Sequence, residues 1–113
     1  MQDSVRFTEQ ADRIVKQFDS YIGVDTLHVN GALTLGENLA DFGGMMIAYD
    51  ALERALDRSG KRETIDGFTP EQRFFIAYAQ SWRSHQRQES IRSQLKTDPH
   101  APAYWRTNGP LSN

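Results

Sequence analysis

Apolar residues recur every three or four positions through the first part of the chain, a spacing that places them on one face of an α-helix. They are Phe7, Ala11, Ile14, Val15, Phe18, Tyr21 and Ile22. Charged and polar side chains fill most positions between them, so this helix would bury one face and expose the other. We predict a helix from about Thr8 to Ile22, ended by Gly23, because glycine readily adopts the left-handed conformation that ends helices.

A short turn is predicted next. The apolar segments 27–29 and 32–33 flank the pair Asn30-Gly31. Asn-Gly is the preferred pair for a type I′ turn, so the pattern indicates one small hairpin.

The longest apolar pattern follows Thr34 and has two stripes. One contains Leu35, Leu39, Phe42, Met46 and Tyr49, and the other contains Met45, Ala48, Leu52 and Leu56. A helix that is apolar on two faces is usually buried in a larger body. Gly60 would end it. Because each glycine of Gly43-Gly44 costs a helix about 1 kcal/mol relative to alanine, we expect another backbone to approach closely there.

Two further helices are predicted before the chain becomes rich in proline. Thr69, Pro70 and Gln72 have the spacing of a helix N-cap with a capping box, and Phe74, Phe75, Tyr78, Ala79 and Trp82 would supply the buried face. A further short helix is predicted over about 88–95. Three prolines and a glycine predict a loop-rich tail over 97–113. The whole pattern predicts a mainly α fold over residues 1–113.

The composition narrows the classes of function. The 113 residues carry a net charge of −2 with both signs mixed along the chain, which gives no surface suited to nucleic acid. The absence of cysteine excludes disulfides, thiolate metal sites and cysteine nucleophiles. No apolar run approaches the length of a membrane span.

Two carboxylates in the long helix are the first candidates for chemistry. Glu37 and Asp41 lie four residues apart, so their side chains share one face. Carboxylates on a buried helix are costly unless a cation or hydrogen-bond donors meet them, and a metal on Glu37 would remove that cost. A capping box formed by Thr34 and Glu37 is the simpler explanation on spacing alone, because capping boxes are far commoner than metal sites.

A second candidate lies in the tail. His100 and Arg106 sit beside Pro99 and Pro102, and such a pair could stabilise a developing oxyanion and bind a substrate carbonyl. Asp98 could orient His100. From these residues alone, a surface loop with scattered polar groups is the better explanation. The other two histidines, His28 and His85, are interpreted as structural or solvent-exposed.

Taken together, these segments resemble the C-terminal part of the catalytic domain of the neprilysin family of zinc peptidases. The resemblance is carried by Val29-Asn30-Gly31, Thr34 to Asp41, Gly43-Gly44, Ala48-Tyr49, Phe74-Phe75, Ala79-Gln80, Trp82, Lys96-Thr97-Asp98, His100, Pro102, Arg106 and Asn108-Gly109. Order and spacing agree from about Phe7 onward. The Glu-Asn-x-Ala-Asp motif is short, but with the downstream loop it is highly specific. It therefore favours the metal interpretation of Glu37 over the capping box.

The resemblance implies a helical subdomain of a gluzincin-type catalytic domain, from a zinc metalloendopeptidase that hydrolyses oligopeptides. It implies one zinc ion, with Glu37 as its third protein ligand and Asp41 holding a zinc-ligand histidine. His100 would stabilise the transition state, and Arg106 would bind the substrate backbone. Trp82, together with Ser81, would form part of the pocket for the side chain after the scissile bond.

One departure from the family pattern is decisive. The His-Glu-x-x-His helix, which supplies two zinc ligands and the general base, is absent, so the chain is expected to be a fragment. We expect the isolated chain to bind zinc weakly or not at all, to be inactive, and to self-associate through the exposed helix 35–58. The alternative is a non-catalytic, all-helical interaction module derived from a peptidase. The parent is expected to act outside the cytoplasm and to be bacterial, because animal members are rich in disulfides.

Overall fold

The computed structural model describes residues 2–112, and within them the chain forms five helices and one two-stranded antiparallel sheet. The helices are α1 Gln2–Asp19, α2 Gly31–Ser59, α3 Pro70–Ser81, α4 Gln88–Thr97 and α5 Ala103–Leu111. The strands are β1 Ile22–Val24 and β2 Leu27–His28. The prediction of a mainly α fold with one small hairpin is confirmed. No helix in this part of the chain is long and apolar enough to cross a membrane.

The core is small and lies where α1, α2, α4 and α5 meet. Phe18, Val29 and Ala101 are buried at its centre. Ile14, Tyr21, Phe42, Leu95 and Trp105 pack around them. The apolar stripe of α1 therefore reaches the core through its second half. Phe7, at the other end of the stripe, remains largely exposed, and the helix ends at Asp19 rather than Ile22 because Ile22 begins β1.

The predicted position of the hairpin is wrong. Its strands pair Ile22 with His28 and Val24 with Leu27, so the turn lies at 25–26 rather than at Asn30-Gly31. Asp25 takes the positive φ that the turn requires. Tertiary packing overrides the local preference of the Asn-Gly pair, which instead begins α2.

The start of α2 is fixed by a close crossing with α1. The Asn30 side chain caps the helix by accepting a hydrogen bond from the Leu33 N–H at 2.9 Å. The Gly31 N–H donates to the Asp19 carboxylate at 2.7 Å. A Cβ on Gly31 would lie 2.1 Å from the Val15 carbonyl oxygen, so only glycine allows the two backbones to approach this closely.

Two predictions for α2 are wrong, and one is confirmed. Thr34 is not the N-cap, because the helix begins three residues earlier and the Thr34 hydroxyl donates to the Asn30 carbonyl. The expected close approach at Gly43-Gly44 does not occur among residues 2–112, since a Cβ on either glycine would meet no atom within 4 Å. Gly60 ends the helix in the left-handed conformation, as predicted.

Burial of α2 on two faces is also not observed in the described chain. Its buried residues are Gly31, Thr34 and Asn38, all in the first third of the helix. Met46 and Ile47 further along are 68% and 74% exposed. The described part of the molecule is only 17 Å thick along its shortest axis, so too few elements surround α2 to cover both apolar stripes.

The start of α3 agrees with the prediction, and α3 packs against the second half of α2. Thr69 and Gln72 form both hydrogen bonds of the capping box. The ring of Tyr49 on α2 lies 5.6 Å and 5.4 Å from the rings of Phe74 and Phe75. Between the helices, the Arg62 guanidinium binds three carboxylates, those of Glu53, Asp57 and Glu71.

The prediction of a loop over 97–113 is wrong for the described residues 97–112, because they contain α5, and residue 113 lies outside the described part. Pro102 immediately precedes this helix and supplies no backbone donor there. Pro110 lies in the last turn and removes a single regular hydrogen bond, so the helix tolerates it. Gly109 packs against the Phe18 ring so closely that a Cβ would lie 2.6 Å from it. Contact with the core therefore stabilises a helix whose composition is typical of a loop.

A pair of glycine substitutions in α2 tests the crossing with α1. Gly31→Ala should lower the free energy of unfolding by about 2 kcal/mol, because the new methyl group overlaps backbone that cannot move aside easily. Gly44→Ala, the matched control, should raise it by about 0.5–1 kcal/mol, since alanine is the better helix former and no atom is nearby. Urea unfolding of both variants would measure this. Equal effects of the two substitutions would contradict the close crossing of α1 and α2 at Gly31.

Candidate active site

The first half of α2 directs two carboxylates toward the segment that runs from Asp98 into α5. Glu37 and Asp41 lie one helical turn apart on the same face. Their environments differ, because the Glu37 side chain is 40% exposed whereas that of Asp41 is 12% exposed. Glu37 is accessible to a ligand, whereas the mostly buried Asp41 needs a partner within the protein.

The partner of Asp41 is Arg106. The two Asp41 oxygens accept hydrogen bonds from Arg106 Nε and Nη2, each at 2.7 Å, in a bidentate pair. This hydrogen bonding raises the pKa of Arg106, although burial of the guanidinium, whose side chain is 13% exposed, opposes the shift. Arg106 is thus held as a cation on the face of the site.

Trp82 forms the other support of the guanidinium. The Arg106 Cζ atom lies 3.9 Å from the centroid of the Trp82 ring, a cation–π contact. The third nitrogen, Nη1, makes no hydrogen bond within residues 2–112. The stacked and paired guanidinium therefore keeps donors free for a further acceptor.

His100 lies between two carboxylates. Its Nδ1 is 2.7 Å from Asp98 Oδ1, and its Nε2 is 3.1 Å from Glu37 Oε2. Asp98 also accepts a hydrogen bond from the His100 backbone N–H at 2.9 Å. The pKa of Asp98 is lowered mainly by the hydrogen bond from the His100 backbone N–H, and next by the hydrogen bond from the His100 imidazole. Asp98 therefore holds the ring in one orientation, with Nε2 directed toward Glu37.

The described residues do not by themselves form a metal centre. No group of three or more histidine, aspartate or glutamate side chains within residues 2–112 is placed to hold an ion. A catalytic zinc site needs three protein ligands. Glu37, whose side chain is 40% exposed, can supply one ligand, so the remaining ligands would have to come from outside this set.

A small cleft opens beside the cluster. It has a volume of about 270 Å³ and is lined by Ser81, Trp82, Ser84, Gln86, Gln94, His100, Ala101, Ala103 and Arg106. A larger cleft of about 730 Å³ shares Trp82, Ser84, Gln86 and Ala103 with it but not His100 or Arg106. The small cleft is therefore the one that places a bound group next to the polar side chains.

The structure brings together Glu37, Asp41, His100, Arg106 and Trp82, although they lie on different helices and loops. Ser81 borders the small cleft, but its hydroxyl donates to the Tyr78 carbonyl at 2.7 Å. His28 lies apart from the cluster, with Nδ1 2.8 Å from the Asp19 carbonyl oxygen, and His85 lines the larger cleft.

Two features of this cluster were not predicted from the sequence. One is the ion pair between Asp41 and Arg106, which are 65 residues apart. The other is Tyr78, predicted only as a core residue, whose hydroxyl donates to the Arg106 carbonyl at 3.1 Å. The proline four residues after Arg106 was the available signal for the second, because proline leaves that carbonyl without its regular helical donor.

Removing one partner of the partly buried ion pair tests how strongly it stabilises the chain. Asp41→Asn should lower the free energy of unfolding by about 2 kcal/mol, because Arg106 loses its bidentate counter-charge and retains only the more distant Glu37 carboxylate at 4.0 Å. The control is Asp50→Asn, which breaks an exposed pair with Arg54 on the same helix and should have no measurable effect. Urea unfolding measures both. A loss for Asp41→Asn no larger than the control would contradict the prediction.

Comparison with known proteins identifies the family. The model of peptidase family M13 matches residues 1–113. An endothelin-converting enzyme homolog of Locusta migratoria is 43% identical over 109 residues, covering 95% of this chain and 15% of the relative. The endothelin-converting enzyme-like 1 protein of Homo sapiens is 40% identical over 109 residues, covering 95% of this chain and 14% of the relative.

Solved structures agree in both fold and sequence. The zinc metalloprotease Zmp1 of Mycobacterium tuberculosis, crystallised with an inhibitor, is 37% identical with a TM-score of 0.89, and the match covers 100% of this chain and 18% of Zmp1. An open-state structure of Zmp1 gives a TM-score of 0.85 at 38% identity, covering 98% of this chain and 18% of that one. This chain thus spans about a seventh of the length of the curated relatives described. It belongs to peptidase family M13, the neprilysin family of zinc metallopeptidases.

Proposed function

We propose that this chain is part of the catalytic domain of a zinc metalloendopeptidase that hydrolyses oligopeptides. The single observation that carries the proposal is the cluster of Glu37, His100 and Arg106, in which Glu37 Oε2 lies 3.1 Å from His100 Nε2 and 4.0 Å from Arg106 Nη2. A metal ligand, a transition-state donor and a substrate-binding cation would need to lie this close together to act on one peptide bond.

Glu37 is proposed as the third protein ligand of the zinc ion. It is more exposed than Asp41, and among residues 2–112 it accepts no bidentate pair from an arginine. The other two ligands would be histidines of a part of the parent outside this chain. Zinc, when bound, would polarise the substrate carbonyl and lower the pKa of a bound water.

His100 is proposed to stabilise the negative charge that develops on the carbonyl oxygen of the scissile bond. Asp98 accepts from Nδ1 and from the backbone N–H, so the ring is preorganised with Nε2 directed at Glu37. A protonated Nε2 could then donate a hydrogen bond to an oxyanion formed beside Glu37. Donors fixed in place before the reaction stabilise a transition state without a further cost of reorganisation.

Arg106 is proposed to bind a backbone carbonyl of the substrate. Asp41 and Trp82 hold the guanidinium in place, and Nη1 keeps two N–H groups for an acceptor. The Asp41 carboxylate accepts two hydrogen bonds from Arg106 and retains other lone pairs. It could therefore also accept from a zinc-ligand histidine, which would link the metal and the substrate-binding arginine through one side chain.

The small cleft is proposed as part of the pocket for the side chain after the scissile bond. Trp82 supplies an apolar wall, and Ser81 lies at its edge. His100 and Arg106 line the same cleft, so a peptide bound there would place its backbone beside both donors.

An alternative is a non-catalytic, all-helical interaction module derived from a peptidase. The absence of a three-ligand metal group within residues 2–112 favours it. The two functions differ in one observation, which is whether the parent gene encodes His-Glu-x-x-His upstream and in frame. A parent that acts outside the cytoplasm remains our expectation, as does a bacterial origin, which rests on the absence of cysteine.

The isolated chain is proposed to self-associate through the apolar surface of α2. Met46 and Ile47 are strongly exposed there, and large apolar patches on a small chain favour association. In the parent, other parts of the catalytic domain would cover this surface.

A single charge on α2 tests the self-association. Light scattering should show dimers or larger species that dissociate in Ile47→Asp, because the introduced carboxylate cannot be buried in an apolar interface. Val5→Asp is the control, since Val5 is an exposed apolar residue on α1. A monomer at high concentration, or equal dissociation by both variants, would count against the proposal.

The peptidase function is tested by comparing the isolated chain with a chimera. The isolated chain should neither cleave peptides nor bind zinc with sub-micromolar affinity, because it supplies one ligand of the three required. In the chimera, this chain replaces the matching segment of the M. tuberculosis protein Zmp1. The chimera should bind one zinc ion and hydrolyse an oligopeptide.

Two substitutions in the chimera separate the proposed roles. Glu37→Gln should reduce zinc content and lower kcat/KM by at least about 100-fold, through loss of the ligand. His100→Gln should retain zinc and lower kcat by roughly 100-fold, through loss of a transition-state donor. Glu9→Gln on the exposed surface of α1 is the control for both. A zinc-loaded chimera whose hydrolysis is unaffected by Glu37→Gln would refute the proposal.

A further inference from the structure

Arg106 lies in a helix that cannot complete its own hydrogen bonding. In an α-helix, the carbonyl of residue i accepts a hydrogen bond from the N–H of residue i+4. Four residues after Arg106 is Pro110, which lies within α5 and has no N–H. The regular helical bond to the Arg106 carbonyl is therefore impossible.

A side chain from another helix supplies a donor to that carbonyl. The Tyr78 hydroxyl of α3 donates to the Arg106 carbonyl oxygen at 3.1 Å, across 28 residues of sequence. The bond is partly buried, so a lost donor would not be replaced freely by water. This bond therefore links α3 directly to the backbone of α5.

The same helix also supports the other end of Arg106. Trp82 lies one turn after Tyr78, at the end of α3, and its ring lies against the guanidinium. The backbone of Arg106 is thus attached to α3 through Tyr78, and its guanidinium is placed between Trp82 and Asp41 of α2. A movement of the Arg106 backbone would shift the guanidinium relative to both.

The charges around the hydroxyl favour its role as a donor. The pKa of Tyr78 is raised, mainly by burial of the hydroxyl and next by the nearby Asp41 carboxylate. Trp82 and Arg106 lower it by smaller amounts. The hydroxyl therefore keeps its proton through neutral pH, which is the form that can donate to a carbonyl.

We propose that Tyr78 is a positioning residue for Arg106, with its hydroxyl replacing the helical N–H that Pro110 lacks. The bond fixes the backbone of α5 at the point from which the guanidinium reaches Asp41 and the small cleft. The consequence for substrate binding rests on the proposed function of Arg106. The positioning of the side chain itself does not depend on that function.

A cycle of four chains tests the proposal directly: the unmodified chain, Tyr78→Phe, Pro110→Ala and the double variant. Phenylalanine keeps the ring and removes only the hydroxyl, whereas alanine restores an N–H at position 110. We expect Tyr78→Phe to accelerate exchange of the Arg106 Nε–H proton with water about fivefold, as measured by NMR, because one hydrogen bond of about 1 kcal/mol is lost. In the Pro110→Ala background the same change should have less than half that effect, since the helix then supplies the donor.

The control is Tyr104→Phe, which removes a hydroxyl from a side chain that is 67% exposed. It should leave the Arg106 Nε–H signal unchanged. Equal effects of Tyr78→Phe and Tyr104→Phe would overturn the proposal, and so would an effect of Tyr78→Phe that is undiminished in the Pro110→Ala background. If Pro110→Ala does not fold, the proposal is tested by comparing the exchange rate of the Arg106 Nε–H proton in Tyr78→Phe and Tyr104→Phe.

The consequence for function is measured separately in the Zmp1 chimera. Tyr78→Phe should raise KM about fivefold with a smaller change in kcat, because a displaced Arg106 weakens binding of the peptide backbone. The NMR experiment needs neither zinc nor substrate. An inactive chimera with an intact NMR effect would therefore refute the peptidase function and leave the positioning role standing. An active chimera without the NMR effect would refute the positioning role alone.

Discussion

The bidentate ion pair between Asp41 and Arg106 joins α2 to α5, and the rest of the candidate site depends on it. Two charges that are largely shielded from water are costly, and only close, well-aligned hydrogen bonds offset that cost. The pair meets this condition with two bonds of 2.7 Å. Because an arginine in a bidentate pair has little freedom to move, the pair also fixes where α5 lies relative to the exposed carboxylate of Glu37.

The same helix therefore carries two carboxylates in different environments. Asp41 is mostly buried and paired with the guanidinium, whereas Glu37, one turn earlier, is half-exposed and lies 3.1 Å from His100 Nε2. They lie on adjacent turns of one helix face, so a difference in burial is what distinguishes the roles that we propose for them. The bidentate pair of Asp41 with Arg106 thus lies one helical turn from Glu37, whose carboxylate is accessible to solvent.

The exposure of α2 is consistent with the small share of its relatives' length that this chain spans. The chain spans about a seventh of the curated relatives described, and it forms a thin body whose core lies at one end of the long helix. Met46 belongs to the first apolar stripe, yet it is 68% exposed among residues 2–112. The double stripe that predicts a buried helix is thus a property of a larger domain.

The sequence by itself determined the features that depend on neighbouring residues. The capping box at Thr69, the end of α2 at Gly60 and the shared face of Glu37 and Asp41 all follow from groups a few positions apart. Only the tertiary structure decided that Asn30-Gly31 begins a helix, that the proline-rich tail forms α5, and that Asp41 pairs with Arg106. Each of these depends on contacts between distant segments, whose packing energy exceeds the local preferences of the residues involved.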